Sequence, residues 1–325
     1  MAPYQSARPL LGIALKLAST IAFTAMATLL KLVSTRYPVG ELVFYRSFFA
    51  LIPVFVWVAW RDKQARAVID VFKTERFWSH TGRCVVASVG MFLGFSALTL
   101  LPIADATAIG YAAPLMAVMF ANVLLGEKVY IFRWAAVLVG LCGVLIMLTD
   151  FFGPDSRGIE RSVLGAFVAV GAAIVGALAS TYTRLLTRNE LAATIVIYFS
   201  AYGAFYGFLT LPLGWFWPEA AWSTPTAPDM LLLFLAGIFG GVAQVLLTQC
   251  YRFGEAGTIA PFDYTSMIWV LLVSFFVFGT FPSTTILTGT VIVISAGLFV
   301  IFREHMLGIE RARSKSAQTP TTPLS

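Results

Sequence analysis

Long apolar runs separated by short polar connections dominate the chain. A helix needs about 20 residues to cross a hydrocarbon layer about 30 Å thick. Runs of that length fall at 10–31, 41–60, 81–101, 104–125, 132–150, 162–183, 192–213, 230–251, 258–279 and 285–302. The pattern predicts an all-α membrane protein with ten transmembrane helices. The narrowest separation is the LLPIAD between the third and fourth runs, where Pro102 supplies the stop.

Slid along itself, the sequence shows a second regularity. A gap-free offset of 153 residues superposes the first five runs on the last five, pairing Tyr45 with Tyr198, Ser47 with Ser200, Tyr111 with Tyr264 and Gly126 with Gly279. Matches among apolar residues arise readily by chance, so the coincidence of span boundaries carries more weight than the pairs. Five is odd, so the two units enter the membrane in opposite senses, the plan of inverted-repeat transporters. The expected units are 1–152 and 153–303, followed by an unstructured tail, 304–325, that starts basic and ends rich in Ser, Thr and Pro.

Composition closes off other classes. Of the 325 residues 59% are hydrophobic and 12% charged, about half the charged share of soluble domains, and mean hydropathy is +0.84. The net charge of +6 does not point to nucleic acid, because the basic residues lie between apolar runs rather than on one polar surface. With both termini inside, fifteen of the twenty-two Lys and Arg lie in inner segments, and only Lys31, Arg36, Arg157 and Arg161 lie in outer loops. The positive-inside rule then places both termini in the cytoplasm, and the expected location is the cell inner membrane. Lys16 lies within the first run, which reads as an anchor rather than a removable signal peptide. Cys84, Cys142 and Cys250 are odd in number and lack CxxC spacing, and His80 and His305 stand far apart. No disulfide framework, metal site or cofactor is expected. Phosphate-loop, HExxH and GxSxG motifs are missing from the sequence, so an enzyme or a nucleotide-driven pump is disfavoured.

The stretch LTLLPIADATAIGYAAPLMAVMFANVLLGEKVYIFRWAAVLVGLCGVLIML, residues 98–148, resembles the hallmark region of EamA-type proteins in the drug/metabolite transporter superfamily. There the fourth helix ends in Gly-Glu, here Gly126-Glu127, and a glycine-rich fifth helix follows. ELVFYRSFFALIP, residues 41–53, resembles the family's second helix with its arginine, here Arg46. In the second repeat Gly279 is followed by Thr280, so Glu127 has no counterpart. The resemblance implies ten helices around a central cavity between the repeats, with the fifth and tenth peripheral. It also implies transport of small organic solutes such as amino acids, nucleotide-like metabolites, vitamins including riboflavin, and toxic compounds, in a direction that varies among members.

Asp263 stands out among the residues that could carry the mechanism. It lies eight residues past Glu255, about 12 Å along a helix, and its short side chain cannot snorkel. Insertion of such a carboxylate costs about 2.5 to 3.5 kcal/mol, so it is expected to face the cavity. It could accept a proton, anchor a cargo ammonium, or form a structural ion pair with Lys16. Arg46, placed in the outer third of its span, could fork onto a cargo carboxylate or serve at the interface. Asp105 and Glu127 sit at span ends, where water is near. Pro114 frees the carbonyl of Gly110 beside Tyr111, and Pro261 frees that of Gly257 just before Asp263 and Tyr264. The two interrupted helices suit a midplane site at the repeat interface with the prolines as hinges. Gln244 offers a further hydrogen-bonding group, and Trp269, Phe92, Tyr198 and Tyr202 are candidate walls. The patterns Gly90-x-x-x-Gly94, Gly203-x-x-x-Gly207 and Gly237-x-x-x-Gly241 allow close helix approach. Cys84 and Ser88 are the repeat equivalents of Gly237 and Gly241, so the third and eighth spans are expected to pack alike.

The expectation is a secondary transporter for a small organic metabolite, amino-acid-like or a vitamin such as riboflavin, working by alternating access. The alternative is a membrane-embedded solute-binding or sensor protein without net transport. Expected partners are the small-molecule cargo and the lipid bilayer; proton coupling and a homodimeric assembly stay open.

Overall fold

The computed structural model describes residues 9–61, 77–125, 131–152, 159–186, 192–253 and 259–318. Their helices are α1 (Pro9–Val33), α2 (Val39–Arg61), α3 (Phe77–Leu100), α4 (Ile103–Gly110), α5 (Ala112–Leu125), α6 (Ile131–Thr149), α7 (Ile159–Leu186), α8 (Ala192–Phe208), α9 (Ala227–Phe253), α10 (Ser266–Phe276) and α11 (Thr284–Gln318). Short 3-10 helices occupy Leu211–Trp215, Pro218–Ala220 and Ala260–Thr265. Eight of the α-helices are long and apolar enough to cross a bilayer, and the shorter apolar segments Ile103–Ala117 and Pro261–Phe276 supply the fourth and ninth of the ten spans. Phe167, Phe275, Phe276, Leu145 and Val291 are exposed along them, the surface a hydrocarbon solvent would cover.

Within α1 the threonine hydroxyls find local acceptors. Thr20, Thr24 and Thr28 of α1 donate to the carbonyls of Leu17, Thr20 and Thr24 at 2.7 to 2.9 Å, so these hydroxyls are not left bare where water is missing. The carbonyls at the end of α3 lie just before Pro102, which donates no N–H. Lys31 Nζ meets them instead, donating to Leu98 O at 2.5 Å and Leu101 O at 2.8 Å, a cation at a helix C-terminus.

The packing follows the repeat. Under the 153-residue offset α1 corresponds to α7, α2 to α8, α3 to α9 and α6 to α11. The two most extensive helix contacts, α1 on α9 and α3 on α7, exchange under this correspondence. The pairs α2 with α8 and α6 with α11 map onto themselves and straddle the pseudo-twofold axis. In the second of these pairs the backbones nearly touch, for a Cβ at Gly289 would stand 2.5 Å from Gly143 O. All-helical inverted repeats of five spans each are therefore the architecture.

Symmetry fails most at the seam between α2 and α9. α2 packs closely on α9, whereas its equivalent, α3 on α8, is looser. The cause is steric: a Cβ at Gly241 would lie 2.5 Å from Ala50 O, and one at Gly240 would lie 3.1 Å from Arg46 Nε. The equivalent positions of α3 are Ser88 and Ala87, each of which carries a Cβ. The third and eighth spans thus pack alike against α7 and α1, but not against α8 and α2, which corrects the expected likeness. Gly203 and Gly207 do bring α8 onto α2, at Ser47 and Phe44, while Gly90 meets Val175 and Gly94 faces open space.

Two further expectations change. The unstructured tail is helical through Gln318, because α11 continues past Arg303 through ERARSKSAQ, which contains good helix formers and no Pro. Asp105 is not at a wet span end. It is 7% exposed, in the first turn of α4, because the turn at Pro102 folds that end of the fourth span beneath its neighbours. One of its carboxylate oxygens has no partner among the described residues. Glu127 lies outside the described residues.

Candidate functional site

The fourth and ninth spans are both broken at equivalent places. α4 ends at Gly110, Tyr111 caps it with its N–H shared between Thr107 O and Ala108 O at 3.2 Å, and α5 starts at Ala112. Pro114 lies in the first turn of α5, where it cannot donate to Gly110 O and its ring crowds that carbonyl. In the ninth span Pro261 opens the 3-10 stretch Ala260–Thr265, and α10 starts at Ser266. The breaks occur at Tyr111 and just after its equivalent, Tyr264, rather than at the prolines themselves. Pro114 is exposed and Pro261 half-buried.

The breaks bring the two tyrosines together. Their ring centroids are 5.4 Å apart with planes tilted by 58°. A twofold axis passes midway between equivalent points, so equivalent residues in contact must flank it. Tyr111 and Tyr264 therefore sit on the pseudo-axis. Tyr111 Oη lies 2.7 Å from Ser266 Oγ, which donates to Asp263 O at 2.7 Å, and the Tyr264 hydroxyl abuts Gly297 of α11, where any side chain would collide. Asp263 pairs with Lys16 of α1; the lysine side chain is 2% exposed and the aspartate side chain 45%. The structure thus joins Lys16, Asp263, Tyr264 and Tyr111 in one group, with one carboxylate edge accessible. Gly110, the equivalent of Asp263, has nothing within 4 Å of where a Cβ would stand. Trp269, one turn beyond Ser266, has a buried indole N–H with no acceptor among the described residues.

Arg46 is not interfacial. It is 3% exposed, and its Cζ lies 5.5 Å from the centroid of Phe199, its own repeat equivalent, so it too flanks the axis. Gly240 of α9 leaves room for it, since a Cβ there would stand 3.1 Å from Arg46 Nε. Gln244, the equivalent of Met91, is half-buried one turn past Gly240 and is not brought into the tyrosine group by any hydrogen bond of its side chain among the described residues. Phe92 packs in the cluster formed by α1, α2, α3 and α9. Tyr198 stacks on Tyr202, which hydrogen-bonds to Thr81 at 2.9 Å.

Several residues of this centre are not conspicuous in the sequence. Arg83, Met26 and Met91 read there as ordinary span residues, yet Met26 Sδ and Met91 Sδ lie 3.5 and 3.7 Å from Arg46 nitrogens, and Arg83 Cζ is 5.9 Å from the Phe199 ring. The one available signal for Arg83 is a charge inside an apolar run.

Ten spans in inverted repeats, with broken helices and buried charge on the pseudo-axis, define a membrane-transport architecture. Comparison with known proteins agrees. Residues 10–149 match the EamA-like transporter family. The chain is 30% identical over 239 residues to a riboflavin transporter of Rhizobium johnstonii, covering 74% of this chain and 75% of that one. It is 27% identical over 293 residues to an S-adenosylmethionine uptake transporter of Rickettsia prowazekii, covering 90% of this chain and 93% of that one. A crystal structure sharing 21% identity superposes with a TM-score of 0.58 over 89% of this chain and 98% of its own, a likeness of fold. The chain belongs to the EamA-like transporter family of the drug/metabolite transporter superfamily. It is a multi-pass membrane protein and a small-molecule transporter, not an enzyme.

Proposed function

We propose that this protein is a secondary carrier that holds a small organic metabolite on the pseudo-twofold axis, between the broken fourth and ninth spans, and releases it by alternating access. The observation that carries this reading is the Tyr111 and Tyr264 pair at equivalent helix breaks, beside the half-exposed carboxylate of Asp263. S-adenosylmethionine and riboflavin, named for the relatives, share a flat heteroaromatic ring system, and two tilted tyrosines suit such a ring. Asp263 serves as the coupling group. Its protonation, or an incoming cationic cargo group, competes with Lys16 for the carboxylate and so links binding to the opening of the α1 contact. The termini face the cytoplasm of a cell with this protein in its inner membrane, in keeping with the fifteen-to-four charge bias.

The test is counterflow in proteoliposomes with labelled S-adenosylmethionine and labelled riboflavin. Saturable uptake of one of them is expected. Asp263→Asn should lower it at least about tenfold, the scale of losing a charged hydrogen-bond partner, and flatten its pH dependence. Unchanged rate and pH profile in that variant would remove Asp263 from the mechanism. Ligand binding with no flux would favour a sensor.

A further inference from the structure

Arg46 is a fixed positive charge with no anion beside it among the described residues. Its burial is nearly complete, its exposure being 3%, and a guanidinium does not shed its proton in a protein. Among the described residues no carboxylate oxygen lies within 4.0 Å of it. Nε faces Met26 Sδ at 3.5 Å and Nη1 faces Met91 Sδ at 3.7 Å, both weak acceptors, and the Phe199 ring lies below. Soft contacts of this kind do not offset the desolvation of a full charge. Methionine would fill the same space at no electrostatic cost.

The surroundings repeat the message. Arg83 reaches the same Phe199 ring from α3 at 5.9 Å, so two guanidinium groups share one ring and reinforce a positive potential. Ser88 and Ser200 are 3% and 1% exposed, and both hydroxyls are buried without a hydrogen-bond partner among the described residues. Helical register puts Ser88 on the face of α3 that carries Met91 and Ser200 on the face of α8 that carries Gly203. Cys84, Ser88 and Met91 fall on one stripe of α3, and Met91 touches Arg46. Ser200 follows Phe199 and lies one turn before Gly203, where a Cβ would stand 2.6 Å from Ser47 Oγ.

We propose that Arg46, with Arg83 flanking and the Ser88 and Ser200 hydroxyls as further donors, forms a subsite for a carboxylate carried by the cargo. A carboxylate matches the planar fork of Arg46 bidentately. The hydroxyls give the remaining lone pairs donors, and the methionine and phenylalanine walls accept the adjoining carbon chain. A doubly charged phosphate would leave oxygens against those apolar walls. Arg46 and the tyrosine pair both flank the pseudo-axis, and in this proposal the cargo's ring is assigned to Tyr111 and Tyr264 and its carboxylate to Arg46. The cargo class is thus an aromatic or amino-acid-like carboxylate. As a statement about cargo this rests on the carrier reading; as a statement about binding it does not.

Thermal unfolding of the purified full chain in detergent, with matched acids and amides, tests the subsite. The probes are L-methionine against L-methioninamide, and nicotinate against nicotinamide. Each acid should raise the unfolding temperature in a saturable way while its amide does not, and Arg46→Gln should weaken the acid response about tenfold or more. Unliganded Arg46→Met should unfold at or above the wild-type temperature, because it removes an uncompensated buried charge. Equal responses to acid and amide, an acid response that survives Arg46→Gln, or a lower unfolding temperature for Arg46→Met would each overturn the proposal. No flux is read here, so failure of the carrier reading in proteoliposomes and failure of the anion subsite are separate results.

Discussion

Lys16 and Asp263 are unequal partners, and the inequality predicts how each responds to substitution. The lysine side chain is 2% exposed and the aspartate side chain 45%. Asp263→Asn leaves a buried ammonium without this anion, whereas Lys16→Met leaves a carboxylate that still has an open edge. Breaking a fully buried pair costs about 3 to 5 kcal/mol, and the exposure of Asp263 screens part of that. The expected loss is therefore about 1 to 3 kcal/mol for Asp263→Asn and under about 1 kcal/mol for Lys16→Met. The double variant should recover most of the larger loss, since neither charge then lacks its partner. Denaturation of the four proteins in one detergent measures this cycle. Additive losses would mean that the two side chains do not stabilise each other.

At the scale of the element, glycines decide which helices touch. On α9 a Cβ at Gly241 would stand 2.5 Å from Ala50 O and 2.5 Å from Pro53 Cγ, and neither a carbonyl nor a proline ring can swing aside. Gly241→Val should destabilise by about 1 to 3 kcal/mol, as overpacking does, while Ser88→Val at the equivalent place on the looser α3 and α8 seam should cost less. Unfolding temperatures of the two variants compare the seams directly. Such contrasts also mark what the sequence can say. Span positions, the 153-residue repeat and the equivalence of Tyr111 with Tyr264 were legible, because hydropathy and an offset are properties of the chain alone. Lys16 with Asp263 was one of three readings left open for that carboxylate, since equal depth does not fix which helices are neighbours. The burial of Asp105, and the helix that replaces the unstructured stretch before Gln318, depend on local turns and propensities that the apolar pattern obscures. The setting of Arg46 was illegible for another reason: Met26, Met91, Phe199 and Gly240 come from four different helices, and nothing local to Arg46 names them.

Across the whole molecule, a set of polar contacts ties together the face of the bundle away from the termini. On the face away from the termini, Asp229 at the start of α9 accepts from Arg36 Nη1 at 2.8 and 2.9 Å and from the Tyr37 hydroxyl at 2.9 Å, and Glu41 Oε2 accepts the Ser223 N–H at 3.2 Å. Burial, reinforced by the Asp229 carboxylate, pushes the Tyr37 phenol above its ordinary value. The phenol therefore remains a donor at neutral pH. Its raised value in the folded protein makes its contribution full below pH about 10 and lost only as pH rises through the raised value. In an inverted-repeat carrier the exchange of roles between repeats would open the α2 and α9 seam and close its α3 and α8 equivalent, and the Asp229 contacts oppose that step. Asp229→Asn removes the charge that holds both Arg36 and Tyr37, so it should shift the population toward a state open on this face. A weakening near 1.4 kcal/mol corresponds to about tenfold in that equilibrium. A single cysteine at Ser47, now fully buried against Met91, reads the opening in a chain whose Cys84, Cys142 and Cys250 are replaced by alanine. Its labelling by a membrane-impermeant maleimide, applied from this face, should quicken about tenfold with Asp229→Asn and stay near the parent rate with Thr149→Ala, an exposed hydroxyl at the same end of α6 that bonds within its own helix. Equal labelling rates for Asp229→Asn and its parent would place the barrier to opening elsewhere in the bundle.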